Sequence, residues 1–86
     1  MASYSLVFKK SVAKDLRRIP RAHVARLLER IELLAAEPRP ADCEKLSGYD
    51  RYRIRQGQYR VIYEVHDHTV TVIVVKIGHR REVYRG

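Results

Sequence analysis

Apolar residues change their spacing several times along this chain, and each change marks an element. Tyr4, Leu6 and Phe8 alternate with Ser5 and Val7, which predicts a short strand over residues 3–8. From Ser11 the period lengthens: Val12, Leu16 and Ile19 recur at helical spacing, with Lys14, Arg17 and Arg18 facing away. Pro20 ends that helix and suits the first turn of the next. Val24, Leu27, Leu28, Ile31 and Leu34 then form one amphipathic stripe, which Pro38 and Pro40 bring to a stop. Two short helices joined so tightly predict a hairpin lying on a sheet.

Residues 41–50 read as a connector with a turn near Gly48. Three strands follow, Arg51–Arg55, Gln58–Val65 and Thr69–Ile77, joined by turns at Gln56-Gly57 and Asp67-His68. Two-residue loops would pair Ile54 with Tyr59, Tyr52 with Val61, Val61 with Val74, and Tyr63 with Val72. One face then carries Tyr52, Ile54, Tyr59, Val61, Tyr63, Val65, Val70, Val72 and Val74, a surface for the helices to cover. The other carries Arg53, Arg55 and Arg60 beside Ile62, Ile73 and Val75. A one-residue slip would bury arginines, so the faces are strongly constrained. The expected fold is α+β: an N-terminal strand and a two-helix hairpin packed on a small, mainly antiparallel four-stranded sheet. The C-terminal tail is expected to return to that sheet.

Eighty-six residues, 45% of them apolar, suffice for one domain spanning 1–86. The single cysteine, Cys43, excludes an intramolecular disulfide and suits a reducing compartment. No apolar run approaches a membrane span, and Lys9 and Lys10 interrupt the short run at Leu6-Val7-Phe8, so a cytoplasmic protein is expected. The net charge of +8 points to nucleic acid, an anionic membrane surface or an acidic protein as partner. Basic residues on the outer side of both helices could equally form a partner-binding surface.

Charge placement narrows the choice. Arg51, Arg53, Arg55 and Arg60 fall within ten residues, and the expected turn sets Arg60 opposite Arg53. Like charges opposed across a strand pair destabilise a sheet, and a polyanion would neutralise them. Only Glu64 and Asp50 lie near enough in sequence to pair. The plain alternative is a solvated surface whose arginine stems cover Ile62 and Ile73. The functional one is a phosphate cradle, because guanidinium forks bind phosphate oxygens in pairs and stay charged at any working pH.

A second basic cluster, His79-Arg80-Arg81, precedes Val83 and Tyr84. Gly78 can bend the chain back over the sheet and bring Arg80 and Tyr84 towards the hairpin arginines. A phenol among guanidiniums has its phenolate favoured, which makes it a candidate base near neutral pH. A frayed basic tail, or a tyrosine packed at the sheet edge, is the simpler account. His79 could serve as acid or base, or stack on a nucleobase. His66 and His68 lack partners for a metal, His23 has none evident, and Cys43 has no histidine at a telling spacing. No phosphate-binding glycine loop, zinc spacing or nucleophile elbow is present.

The segments Leu46-Ser47-Gly48, Tyr52-Arg53-Ile54-Arg55, Gly57-Gln58-Tyr59-Arg60-Val61-Ile62-Tyr63 and Gly78-His79-Arg80-Arg81-Glu82-Val83-Tyr84 together resemble a RelE-type toxin of the RelE/ParE toxin–antitoxin superfamily. The likeness covers nearly the whole chain. Its middle segment is common to the superfamily, whereas Arg80 with Tyr84 is closer to the RNA-cutting branch. The resemblance implies a ribosome-dependent endoribonuclease (an mRNA interferase) that cleaves mRNA in the A site without metal or cofactor, by attack of a 2′-hydroxyl on the adjacent phosphate. By position it implies Tyr84 as base, Arg53, Arg55 and Arg60 around the phosphate, and Arg80 near the leaving oxygen. Arg51, His79 and Arg81 would add RNA contacts. It further implies a RelB-like antitoxin bound in a hetero-oligomer.

Where some relatives carry lysines on the first hairpin strand, this chain has Arg53 and Arg55, which cannot readily give up a proton. The role of base therefore shifts to Tyr84 or His79, and Arg80 is better suited to electrostatic stabilisation than to proton donation. Two other readings fit the same residues: a ParE-like toxin that poisons DNA gyrase, and a non-catalytic basic module that binds RNA or an acidic protein.

Overall fold

The computed structural model describes residues 3–46 and 50–83. Its elements in chain order are β1 (Ser5–Phe8), α1 (Lys10–Arg17), α2 (Arg21–Leu33), β2 (Glu44–Lys45), β3 (Arg51–Gln56), β4 (Tyr59–His66) and β5 (Thr71–His79). The sheet runs β1-β5-β4-β3-β2, with β1 parallel to β5 and every other neighbouring pair antiparallel. It thus has five strands rather than the expected four. The extra one, β2, lies inside the stretch read as a connector and is too short for its two residues to show any alternation. The turn expected near Gly48 lies outside the described residues.

The helices cover the face that alternation selects. Val12, Ile19, Leu27, Ile31 and Leu34 join Tyr52, Ile54, Val61, Tyr63, Val65, Val72 and Val74 in one buried cluster, with Tyr59 packed at its margin. Tyr63 is fully buried, and its hydroxyl donates to the Pro38 carbonyl at 2.7 Å, which satisfies the polar end of an otherwise apolar side chain. Burial, followed by neighbouring Cys43, pushes its pKa well above the usual phenol value.

Two features of the pairing correct the sequence reading. The first hairpin closes at Gln56↔Tyr59, so its loop is Gly57-Gln58 rather than Gln56-Gly57. Gly57 has φ +59° and is the first of the two loop residues. A positive φ there is what a type II′ hairpin turn asks of glycine. Moving the loop by one residue moves the register by two and leaves the faces unchanged. Ile54 consequently pairs with Val61, Tyr52 with Tyr63, and Arg60 lies across from Arg55, not Arg53.

The second correction concerns β5. The turn between β4 and β5 occupies residues 67–70, and Val70, expected in the core, sits there exposed with φ +50°. Tyr63 pairs with Val74 while Ile62 pairs with Lys76, so Val75 is an extra residue in a β-bulge. Strict alternation from Val72 and Val74 would have buried Lys76. The bulge instead brings Ile77 into the core, opposite Val61, and places Gly78 opposite Arg60 and His79 opposite Tyr59.

Candidate nucleic-acid interface

The hairpin β3–β4 presents Arg53, Arg55 and Arg60 on the face turned away from the helices. Arg55 and Arg60 are direct cross-strand partners, and Arg53 faces Ile62. Such a like-charged pair weakens a sheet. Arg60 has its pKa lowered, first by burial and then by the nearby charges of Arg55, Arg53 and Arg80, with Glu44 acting in the opposite sense. The Arg60 guanidinium therefore feels the charge of the other three. The Arg60 side chain is tethered over the turn, where Nη1 donates to the carbonyls of Tyr59 (3.0 Å) and Gly57 (3.3 Å).

The tail reaches this cluster as far as it is described. His79 is the last paired residue of β5, and the Arg80 amide donates to the Gln58 carbonyl at 2.8 Å. The amides of Glu82 and Val83 both donate to the His79 carbonyl, which folds residues 79–83 into a tight turn. Val83 then lies over Gly78: a Cβ at that glycine would sit 3.5 Å from Val83 Cα. Because Gly78 is opposite Arg60, this seats Val83 on the arginine face, where it is 2% exposed. Tyr84 lies outside the described residues.

His79 turns to the other face. Its ring meets the edge of Tyr59 at 5.9 Å between centroids, and Tyr59 in turn meets His23 of α2 at 5.2 Å. Nδ1 accepts the Arg81 amide at 3.2 Å, which leaves Nε2 to carry the proton towards Gln58 Oε1, 3.1 Å away. Both ring nitrogens are engaged. Beside it is a cleft of about 420 Å³ lined by Asp15, Arg18, Tyr59, His79 and Glu82, with Asp15 Oδ2 accepting the Ile77 amide at 3.1 Å. None of the four clustered arginines lines that cleft.

Not every arginine singled out by the sequence joins the cluster. Arg51 lies at the opposite end of β3 from the turn, where Nε pairs with Glu64 Oε2 at 2.8 Å. Glu64 also binds His66 at 3.0 Å, and its carboxyl is held below the ordinary value by His66 first and Arg51 second. Arg81 is exposed and contributes its backbone amide to His79.

The acid that sequence reading missed is Glu44. It stands directly across from Arg53 on β2; Oε2 pairs with Arg53 Nη2, and Oε1 approaches Arg55 Nη2 at 3.4 Å. The expectation that only Glu64 and Asp50 could serve the arginines is corrected by this residue, nine positions upstream of Arg53. Nothing in the local sequence marks it, since the two-residue strand that delivers it has no pattern of its own.

Comparison with known proteins agrees with the fold and with the motifs it carries. Residues 6–84 match the model of the family described as the ParE toxin of the type II toxin–antitoxin system parDE. RelE1 of Methanocaldococcus jannaschii is 34% identical over 87 residues, spanning 96% of this chain and 97% of that protein. Toxin RelG of Mycobacterium tuberculosis is 30% identical over 87 residues, spanning 95% and 97%. The archaeal RelE–RelB complex from Pyrococcus horikoshii OT3 contains a chain that superposes with a TM-score of 0.83 at 37% identity, covering 94% of this chain and 99% of that one. The chain belongs to the RelE/ParE superfamily of type II toxin–antitoxin toxins, as a RelE-type member.

Proposed function

We propose that this toxin is a ribosome-dependent endoribonuclease that cleaves mRNA in the A site and so inhibits translation. The observation that carries the reading is the gathering of Arg53, Arg55 and Arg60 on one face of the hairpin, with the charge of Arg80 felt at Arg60 and the turn at residues 79–83 folded back towards it. Tyr84 follows the seated Val83 directly in the chain.

RNA supplies its own nucleophile. The 2′-oxygen bonds to the adjacent phosphorus as the P–O5′ bond breaks, leaving a 2′,3′-cyclic phosphate and a 5′-hydroxyl. Tyr84, as its phenolate, takes the 2′-hydroxyl proton and becomes the neutral phenol, and the leaving oxygen takes a proton from solvent. Arg53, Arg55 and Arg60 hold the phosphate and the charge that grows on it, while Arg80 stabilises the leaving oxygen. Arginine stays protonated throughout, so these groups act by charge and hydrogen bonds. Both ring nitrogens of His79 are already bonded, which counts against it as the base and leaves that role to Tyr84 in this reading. DNA lacks the 2′-hydroxyl and cannot react this way. The chemistry calls on no metal or cofactor.

The RelE–RelB complexes among the similar structures support a RelB-like antitoxin as partner, and the net charge of +8 suits an acidic one. A second reading has one specific observation behind it: the matched family model is described as ParE, which favours gyrase poisoning. Expression in cells separates the two. Mapping 5′ ends of messages should reveal breaks in frame with translation, whereas DNA damage with intact messages would replace the nuclease by the gyrase poison. Basic binding without cleavage, the third reading, predicts neither lesion.

A further inference from the structure

Glu44 presents its two oxygens to two guanidiniums, Oε2 to Arg53 Nη2 and Oε1 to Arg55 Nη2, so that one anionic group with two acceptor oxygens bridges both arginines as a phosphate would. Its two contacts differ. Arg53 is only 18% exposed and lies against the sheet, paired closely to Oε2; Arg55 is 62% exposed and meets Oε1 at the long distance of 3.4 Å. The carboxylate itself is 49% exposed and is carried by an edge strand of two residues. Its release returns charge to water and costs little. Arg60, by contrast, has its Nη1 on backbone carbonyls of the turn.

We propose that the Arg53–Arg55 fork is a phosphate subsite occupied in the unbound protein by the Glu44 carboxylate, which a backbone phosphate of RNA must displace. The inference rests on the RNA-binding reading of this face and adds a residue that opposes binding. Arg53 stays in place as the fixed prong, and Arg55 swings from carboxylate to phosphate. Glu44 thus sets affinity without touching the reacting atoms.

The test is binding of a fluorescent single-stranded 2′-O-methyl RNA, which cannot be cleaved, measured by anisotropy for the wild type, Glu44→Gln and Glu32→Gln. Glu32 is an exposed acid on α2, across the sheet from the arginines, so its variant makes the same change in net charge. Glu44→Gln should bind about three- to tenfold more tightly at low salt, the range that one or two part-exposed ion pairs are worth. The gain should vanish near 1 M salt, where the screening length is only about 3 Å. Glu44→Asp, which keeps the charge but shortens the reach, should fall between the two. Equal tightening by Glu32→Gln, or unchanged or weaker binding by Glu44→Gln, would overturn the subsite. The readout is independent of cleavage. A protein that cuts no message yet gains affinity on Glu44→Gln would retract the nuclease and keep the subsite; the converse result would do the reverse.

Discussion

Arg60 is held against its own electrostatic preference, with burial and three neighbouring guanidiniums acting on it together and Glu44 opposing them. On the proposed reading, a residue so placed serves the RNA rather than the fold. Arg60→Ala should therefore leave the melting temperature unchanged or slightly higher, while slowing single-turnover cleavage on ribosomes by about 100- to 1000-fold, the usual loss for one transition-state donor. Arg51 makes the opposite case, since its guanidinium is committed to Glu64. Arg51→Ala should cost less than about 1 kcal/mol in denaturant unfolding and leave cleavage near the wild-type rate. Tyr63→Phe tests the core in the same spirit. It removes the hydroxyl that serves the Pro38 carbonyl and should cost about 1–2 kcal/mol, with no effect on the site.

The elements show what periodicity conveys and where it stops. Facing is a property of alternation, so the core side of β3 and β4 was legible from Tyr52, Ile54, Val61, Tyr63 and Val65. Register depends on which residues make the turn, and Gly57 takes the first loop position where the sequence pattern suggests the second. The loop position decides whether Arg60 faces Arg55 or Arg53, and either choice keeps all three on one face. The bulge at Val75 was hidden because Val74-Val75 reads as continuous strand, and only packing decides that Ile77 rather than Lys76 goes inside. The arginine cluster was legible as composition and facing; Glu44 was not, because two residues carry no period. Gly57 now permits a specific expectation: a Cβ there meets no neighbouring atom, so Gly57→Ala pays only for the left-handed backbone. Urea unfolding should record a loss of about 1 kcal/mol, with the m-value unchanged.

Across the whole molecule, polar ties join segments far apart in sequence. Arg39 donates to the Tyr52 hydroxyl at 2.9 Å and to Asp67 at 2.8 and 3.3 Å, and Asp67 also accepts from Tyr4 at 2.7 Å. The connector after α2, strand β3, the turn before β5 and the residue preceding β1 meet there. The Asp67 carboxyl is held below its ordinary range by Arg39 first and Tyr4 second; Arg30 does the same for Asp42, and His66 with Arg51 for Glu64. A carboxyl whose folded pKa is depressed contributes stability that is complete above its unfolded value and lost as pH falls through the folded one. Melting temperature should be level above about pH 5 and fall below about pH 4, the unfolded carboxylate range. Asp67→Asn should flatten that fall, and a protein that gains stability on acidification would contradict the assignment.

Function at this scale comes down to whether a phenol and four guanidiniums act together on a phosphodiester. The most direct measurement is single-turnover cleavage of mRNA on stalled ribosomes, with wild type and Tyr84→Phe compared under matched occupancy and the new ends identified chemically. The account predicts A-site breaks carrying 2′,3′-cyclic phosphates, slowed at least about 100-fold by loss of the phenol as base. Full cleavage by Tyr84→Phe would remove that residue from the chemistry, and intact message with the wild type would contradict the nuclease outright.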